Sequence, residues 1–206
     1  APSLFSRTGG LYQDDDGLDW AGNGLRFDFF AHVAAEIAAG PLLDLKPEIV
    51  HATDWHAGLV PLLLSKEEGD RPVTIFTIHN LAFQGNFPRS LLPAIGIPER
   101  FFTAEGIEFY GQASYLKAAI RYSDKITTVS PTYAKEVLSP ELGCGLDGVL
   151  RAREADFCGI LNGIHGDLWD PATDIHLPHR FSSRDISGKR LCKVELQAEF
   201  GLEPQP

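Results

Sequence analysis

Methionine is missing from all 206 residues, position 1 included. A natural chain starts with it, so this sequence is expected to be a processed or excised piece. Cysteine is scarce: Cys144, Cys158 and Cys192 are an odd number with no C-x-x-C spacing. That excludes a disulfide framework and points to a reduced, cytoplasmic setting. Positive charge is short too, 18 Lys and Arg against 28 Asp and Glu for a net charge of -10. With no basic stripe to offset it, a nucleic-acid binder is excluded, because affinity for phosphate backbones rests on clustered cations. No apolar run approaches the ~18 residues of a membrane span, and the opening "APSLFSRTGG" does not read as a signal peptide, so no membrane partner is expected.

What is present is an ordinary globular composition, 44% hydrophobic and 22% charged, with enough length for one domain and a full core. The segment Arg7 to Gly24 is rich in Gly and Asp and reads as a loop. "LRFDFFAHVAAEIAAG" follows, with Phe27, Phe30, Val33, Ala34 and Ile37 at helical spacing and Gly40 as the stop. "EIVHA" reads as a short strand before a helix over about Ala57 to Lys66. "PVTIFTIHN" is β-branched and nearly all apolar, as in a strand buried on both faces. An irregular stretch runs from Leu81 to about Gly111. After it come a helix in "QASYLKAAIRYS", a strand in "KITTVS", a helix with Ser130 as N-cap and Pro131 as N1, another in "LDGVLRARE", and a fourth strand in "FCGILNGI". Strands alternating with helices predict an α/β fold, a doubly wound, mostly parallel, Rossmann-like sheet.

In such sheets ligands bind outside the carboxyl ends of the strands. The first strand there carries His51, Asp54, Trp55 and His56, the second His79 and Asn80, the third Ser130, the fourth Asn162 and Gly163. Convergence of all four ends on one rim would make a polar cleft. Plainer readings compete. Asp54 suits an N-cap, Trp55 a packed core aromatic, His51 a hydrogen-bonded structural histidine, and Asn162-Gly163 a turn. A zinc site on His51, Asp54 and His56 lacks the i, i+4 histidine pair of H-E-x-x-H, so no metal is expected. "RTGGL" does not follow a predicted strand, which weakens it as a phosphate loop, and no G-x-S-x-G elbow offers a serine nucleophile.

Four stretches, "HATDWHAGL", "TIHNLAFQG", "GIEFYGQASYLKAAIRYSDKITTVSPTYAKEV" and "GILNGIHGDLWDPATD", together resemble the bacterial glycogen synthases. With the plant starch synthases these form family 5 of the retaining glycosyltransferases. The likeness runs in family order from about Gly9 to Asp174. It implies the B-type fold of two Rossmann-like lobes across a deep cleft, of which this chain would be the incomplete N-terminal, acceptor-side lobe (residues 1–200) and the start of a linker (201–206). The family's first strand, with its Lys-x-Gly-Gly-Leu loop, would precede Ala1. The C-terminal donor-binding lobe, with the cations that neutralise the diphosphate, would be absent. Thr53 stands where many relatives have a second histidine.

The resemblance implies glucose transfer from ADP-glucose to the non-reducing end of an α-1,4-glucan, with retention and without a cofactor. ADP-glucose would be shared with the absent lobe. His79 is then expected beside the donor glucose, and Asp54 near the sugar hydroxyls or the acceptor end, as a positioning and electrostatic group. Asn80 and Asn162 would hydrogen-bond sugar or phosphate, and Tyr12 in "GGLYQD" would reach the cleft, with Trp55 and His56 completing the substrate-binding set. By itself the chain would be inactive. The alternative is a non-catalytic glucan-binding half-domain.

Overall fold

The computed structural model describes residues 2–40, 43, 45–66 and 71–205, with the side chains of Pro2 and Ser3 set aside. In chain order its elements are α1 (Pro2–Phe5), α2 (Asn23–Ala39), β1 (Ile49–Thr53), α3 (Leu59–Leu64), β2 (Val73–Ile78), β3 (Asn86–Pro88), β4 (Glu108–Phe109), β5 (Gln112–Ser114) and α4 (Tyr115–Tyr122). They continue through β6 (Lys125–Thr128), α5 (Pro131–Glu136), α6 (Asp147–Arg151) and β7 (Phe157–Gly159) to α7 (Ser187–Glu199). The chain divides into two compact units, Ala1–Leu161 and Asn162–Pro206.

The first unit is built on the expected parallel sheet, in the order β1-β2-β6-β7. Its register sets Thr53 beside Thr77 and Thr77 beside Thr127. One face carries Ala52, Thr74, Phe76, Ile78, Ile126 and Thr128, all buried. Of these, Ala52, Phe76, Ile78 and Ile126 join Phe27 and Ala31 of α2, Leu59 and Leu62 of α3, and Leu116 and Ile120 of α4 in a single core. Each large one stabilises the fold by roughly 1.5–3 kcal/mol through burial.

On the opposite face the second strand is covered as expected from Ile75, half-buried, to Thr77, buried, and the open part is β1 and the start of β2. Ile49 and Val73 are 56% and 48% exposed, and His51 and Thr53 are exposed beside them. A polar row crosses this face, His51 Nε2 to Thr77 Oγ1 at 2.6 Å and Thr77 Oγ1 to Thr127 Oγ1 at 2.6 Å. His51 is thus a hydrogen-bonded sheet histidine.

Helix α2 departs from its reading at Phe30 and Val33, while Phe27 and Ala34 pack against the core as expected. Phe27 is buried, but the other buried apolar side chains of the helix are Ala31, Ala35 and Ala38, whereas Phe30 and Val33 are exposed. The helix lies against α3, and small residues let two helices approach closely. The third predicted helix begins later than expected, because Gln112–Ser114 form β5 and Ser114 caps α4 by accepting from the Lys117 N–H. β5 pairs antiparallel with β3 and β4 in a small second sheet that the irregular-stretch reading missed. Ser130 and Pro131 open α5 as predicted, the Ser130 hydroxyl accepting from the Tyr133 N–H.

The fourth strand is shorter than read, ending at Gly159. In the second unit α7, which was not anticipated, is held by His179 Nε2 to Glu195 Oε1 at 2.9 Å and by Cys192 Sγ donating to the His179 carbonyl. Among the described residues no helix is long and apolar enough to cross a membrane.

Candidate functional site

At the carboxyl ends of β1 and β2 the first unit opens a cavity of about 580 Å³. Its floor is the turn after β1. The parallel pairing continues one step past Thr53, where the Asp54 N–H donates to the Thr77 carbonyl at 3.0 Å. Asp54 then takes φ 54° and ψ 174°, a region that L-residues rarely occupy and that costs roughly 1–3 kcal/mol. The strained turn aims the carboxylate across at the next strand end. Oδ1 accepts from the backbone N–H of His79 at 2.9 Å, and Oδ2 meets His79 Nδ1 at 2.9 Å.

This grip corrects the N-cap reading of Asp54, whose side chain makes no cap bond to the helical turn that follows. It also fixes the chemistry of His79. An ionised carboxylate only accepts, so Nδ1 carries the proton in the neutral ring and Nε2 is the nitrogen left for a ligand. The His79 side chain stays 48% exposed, so the held ring remains reachable.

Beside this pair the wall is aromatic. Trp55 is only 9% exposed and belongs to the core, so its plainer reading and its place at the cavity both hold. His56 lies under Tyr12, ring centroids 4.5 Å apart and 23° from parallel, with Phe27 edge-on at 4.8 Å. Burial lowers the His56 pKa below the usual imidazole range, against the opposing pull of Asp54. Gly85 approaches Trp55 so closely that an added Cβ would sit 2.3 Å from the indole.

The predicted residues Tyr12, Asp54, Trp55, His56, His79 and Asn80 all line this cavity. Asn80 Oδ1 is engaged in its own turn, accepting from the Ala82 N–H at 3.0 Å. The other two strand ends behave differently. Ser130 caps its helix, and Asn162 is the exposed first residue of the second unit. Within the first unit the ends of β1 and β2 meet at this cavity, and the third end, Ser130, does not line it. His51, Asp54 and His56 turn to three different partners, Thr77, His79 and Tyr12.

Sequence reasoning missed Gln13, Asp19, Asn23 and Asn86, which also face the cavity. Their only signal was nearness to "GGLY" and "AFQG". The described lining contains carboxylates and amides, imidazoles and aromatic faces, but neither lysine nor arginine. Acceptors beside apolar rings suit a neutral ligand rich in hydroxyl donors.

The family model described as "Starch synthase catalytic domain" matches residues 1–152. The chain belongs to the starch synthase catalytic domain family. A glycogen synthase of Roseobacter denitrificans is 48% identical over 204 residues, covering 99% of this chain and 43% of that protein. One of Burkholderia thailandensis is 51% identical over 202 residues, covering 98% of this chain and 38% of that protein. The catalytic domain of starch synthase IV from Arabidopsis thaliana, bound to ADP and acarbose, superposes with a TM-score of 0.77 at 33% identity, covering 100% of this chain and 42% of that one. The chain thus spans well under half the length of these relatives of the starch synthase family.

Proposed function

We propose that this chain is the acceptor-side part of a cytoplasmic glycogen synthase that transfers glucose from ADP-glucose to the non-reducing end of an α-1,4-glucan with retention. The Asp54–His79 grip carries this reading. Transfer through an oxocarbenium-like transition state needs dipoles held in advance at the anomeric centre, since donors and acceptors that need not reorganise stabilise developing charge best. His79, clamped through both its backbone and ring N–H, meets that need, and Asp54 supplies the orientation and negative charge. Tyr12, Trp55 and His56 offer apolar faces to the sugar rings, and Asn80 a polar edge. Asn162 is proposed to hydrogen-bond sugar or phosphate. The relative from Arabidopsis, bound to ADP and acarbose, supports a nucleotide-sugar donor and a glucan acceptor.

The lack of lysine and arginine in the described cavity lining favours a second reading for the chain in isolation, a glucan-binding half-domain without transferase activity. In the full-length protein that contains this chain, His79→Ala is expected to lower kcat about 100-fold or more, the usual scale for a positioned acid–base or electrostatic group, with cooperative unfolding retained. Near-normal turnover would remove His79 from the chemistry. Calorimetry on the 206-residue chain is expected to detect maltoheptaose but not ADP-glucose. Glucosyl transfer by that chain alone would refute the half-domain reading.

A further inference from the structure

The segment from Gly9 to Asp19 has almost nothing buried in it. Gly9 and Gly17 take positive φ values, and Asp14 to Asp16 is a run of like charges. A loop of this kind, with few apolar contacts, would by itself sample many positions. Yet Tyr12, at its centre, is stacked on His56 in the cavity wall.

The first turns of α2 account for this. Asn23, 4% exposed, donates from Nδ2 to the Tyr12 carbonyl at 2.8 Å. The Trp20 N–H donates to the same carbonyl at 3.1 Å, and the Asn23 N–H to the Trp20 carbonyl at 2.9 Å. One turn along, Arg26 is 2% exposed and donates from its guanidinium to the carbonyls of Leu11 and Leu4. Residues 23 and 26 lie three apart, on one side of the helix. Their donors therefore grip two consecutive carbonyls of the loop, those on either side of the Tyr12 Cα. Asn23 Oδ1 is also buried without a hydrogen-bond partner. The side chain is kept there at a cost, which its Nδ2 bond alone does not explain.

We infer that Asn23 and Arg26 are positioning residues for glucan recognition, acting through Tyr12 by fixing its ring against His56. This rests on the reading of the cavity as a glucan site. Without the two donors the ring leaves its platform while the sheet and the Asp54–His79 pair stay in place.

The test uses the 206-residue chain with two readouts, the NMR ring-current shift of the His56 imidazole protons and calorimetric affinity for maltoheptaose. Tyr12→Leu is expected to remove Tyr12's share of the His56 ring-current shift, leaving that of Trp55 and Phe27, and to weaken maltoheptaose about tenfold, the scale of one aromatic contact. Asn23→Ser and Arg26→Lys are expected to do the same, with cooperative thermal unfolding retained. Adding Asn23→Ser to Tyr12→Leu is expected to weaken affinity no further, because a residue acting through Tyr12 has nothing left to act on. An unchanged His56 signal in either folded variant would overturn the positioning role, as would additive losses in the double variant. Should Arg26→Lys fail to fold, Asn23→Ser decides. If Tyr12→Leu changes the His56 shift but leaves maltoheptaose affinity intact, the glucan reading fails while the loop geometry stands.

Discussion

Asp54 and His79, on the floor of the cleft, and Tyr12, on its wall, reach the same cavity by opposite routes. The floor is held by the sheet itself. Parallel register brings two strand ends side by side, and the carboxylate of one closes on both N–H groups of the other. The wall is held by side chains reaching from a helix to loop carbonyls that precede them in sequence. Strand ends are rigid because their ladders are shared with a buried core, whereas a loop is only as ordered as its few anchors. The function proposed above uses that contrast, with chemistry at the floor, where tenths of an ångström matter, and recognition of a variable polymer at the wall.

The sharpest way to break the comparison is at Asp54. In the full-length protein, Asp54→Ala and Asp54→Gly should both lower kcat about 100-fold or more, since either leaves the imidazole unoriented. Their stabilities should part company. At φ 54° glycine is unstrained and alanine is not, so the glycine variant should be the more stable by about 1–2 kcal/mol in urea titrations. Equal stabilities would mean the turn stores no strain. Normal activity in both would mean that His79 needs no holding.

Next in size is the seam where floor meets wall. An alanine at Gly85 would place its Cβ 2.3 Å from Trp55 Cε3, at φ +59°. Overpacking and backbone strain together should cost about 2–4 kcal/mol, with a shifted indole emission. A tolerated Gly85→Ala would show that Trp55 is free to move and that the floor is softer than its ladder suggests.

How far the two regions could be foreseen follows the same division. The floor was legible because a β-branched run ending in polar residues is a one-dimensional pattern, and Ile49-Val50 before His51 and Thr77-Ile78 before His79 both show it. What the pattern could not supply was the partner. Asp54 looked like a cap because caps are local, whereas its real acceptor role spans 25 positions. The wall left no such trace. Asn23 and Arg26 act across 11 and 15 positions, and no periodicity marks a side chain that bonds a distant carbonyl. Helix α2 misled for a related reason: Phe30 and Val33 have the larger apolar surface, but Ala31, Ala35 and Ala38 fit the close approach to α3. The strands β3, β4 and β5, at two or three residues each, are too short to show alternation.

The helix that anchors the wall also carries a pH dependence. Burial pushes the Asp28 carboxyl up to about 6, against the opposing pull of His32 and Lys66. The folded chain therefore holds this proton more tightly than the unfolded one, where the group has the ordinary value of 3.8. Its contribution to stability is most favourable below about pH 4, and is lost as pH rises through about 6, by roughly 2–3 kcal/mol. Asp28→Asn should remove that decline and make the chain the more stable of the two at pH 8, as read by urea midpoints at pH 4, 6 and 8. A parallel pH profile in the two proteins would mean that another group carries it.

The smallest effect belongs to the far tip of the wall. Asp14 Oδ1 accepts from the N–H groups of Asp16 and Leu18 at 3.0 and 2.9 Å, closing the turn that carries Asp19 back to the cavity. Asp15 is exposed at the apex of that turn. Asp14→Ala should therefore cost about 1 kcal/mol, the scale of lost local side-chain bonds. Asp15→Ala should stay within about 0.5 kcal/mol and leave maltoheptaose affinity unchanged. A clear loss of affinity from Asp15→Ala would mean that the glucan reaches beyond Tyr12 to the apex, so that the wall owes its grip to the loop as a whole and not to the two carbonyls clamped by α2.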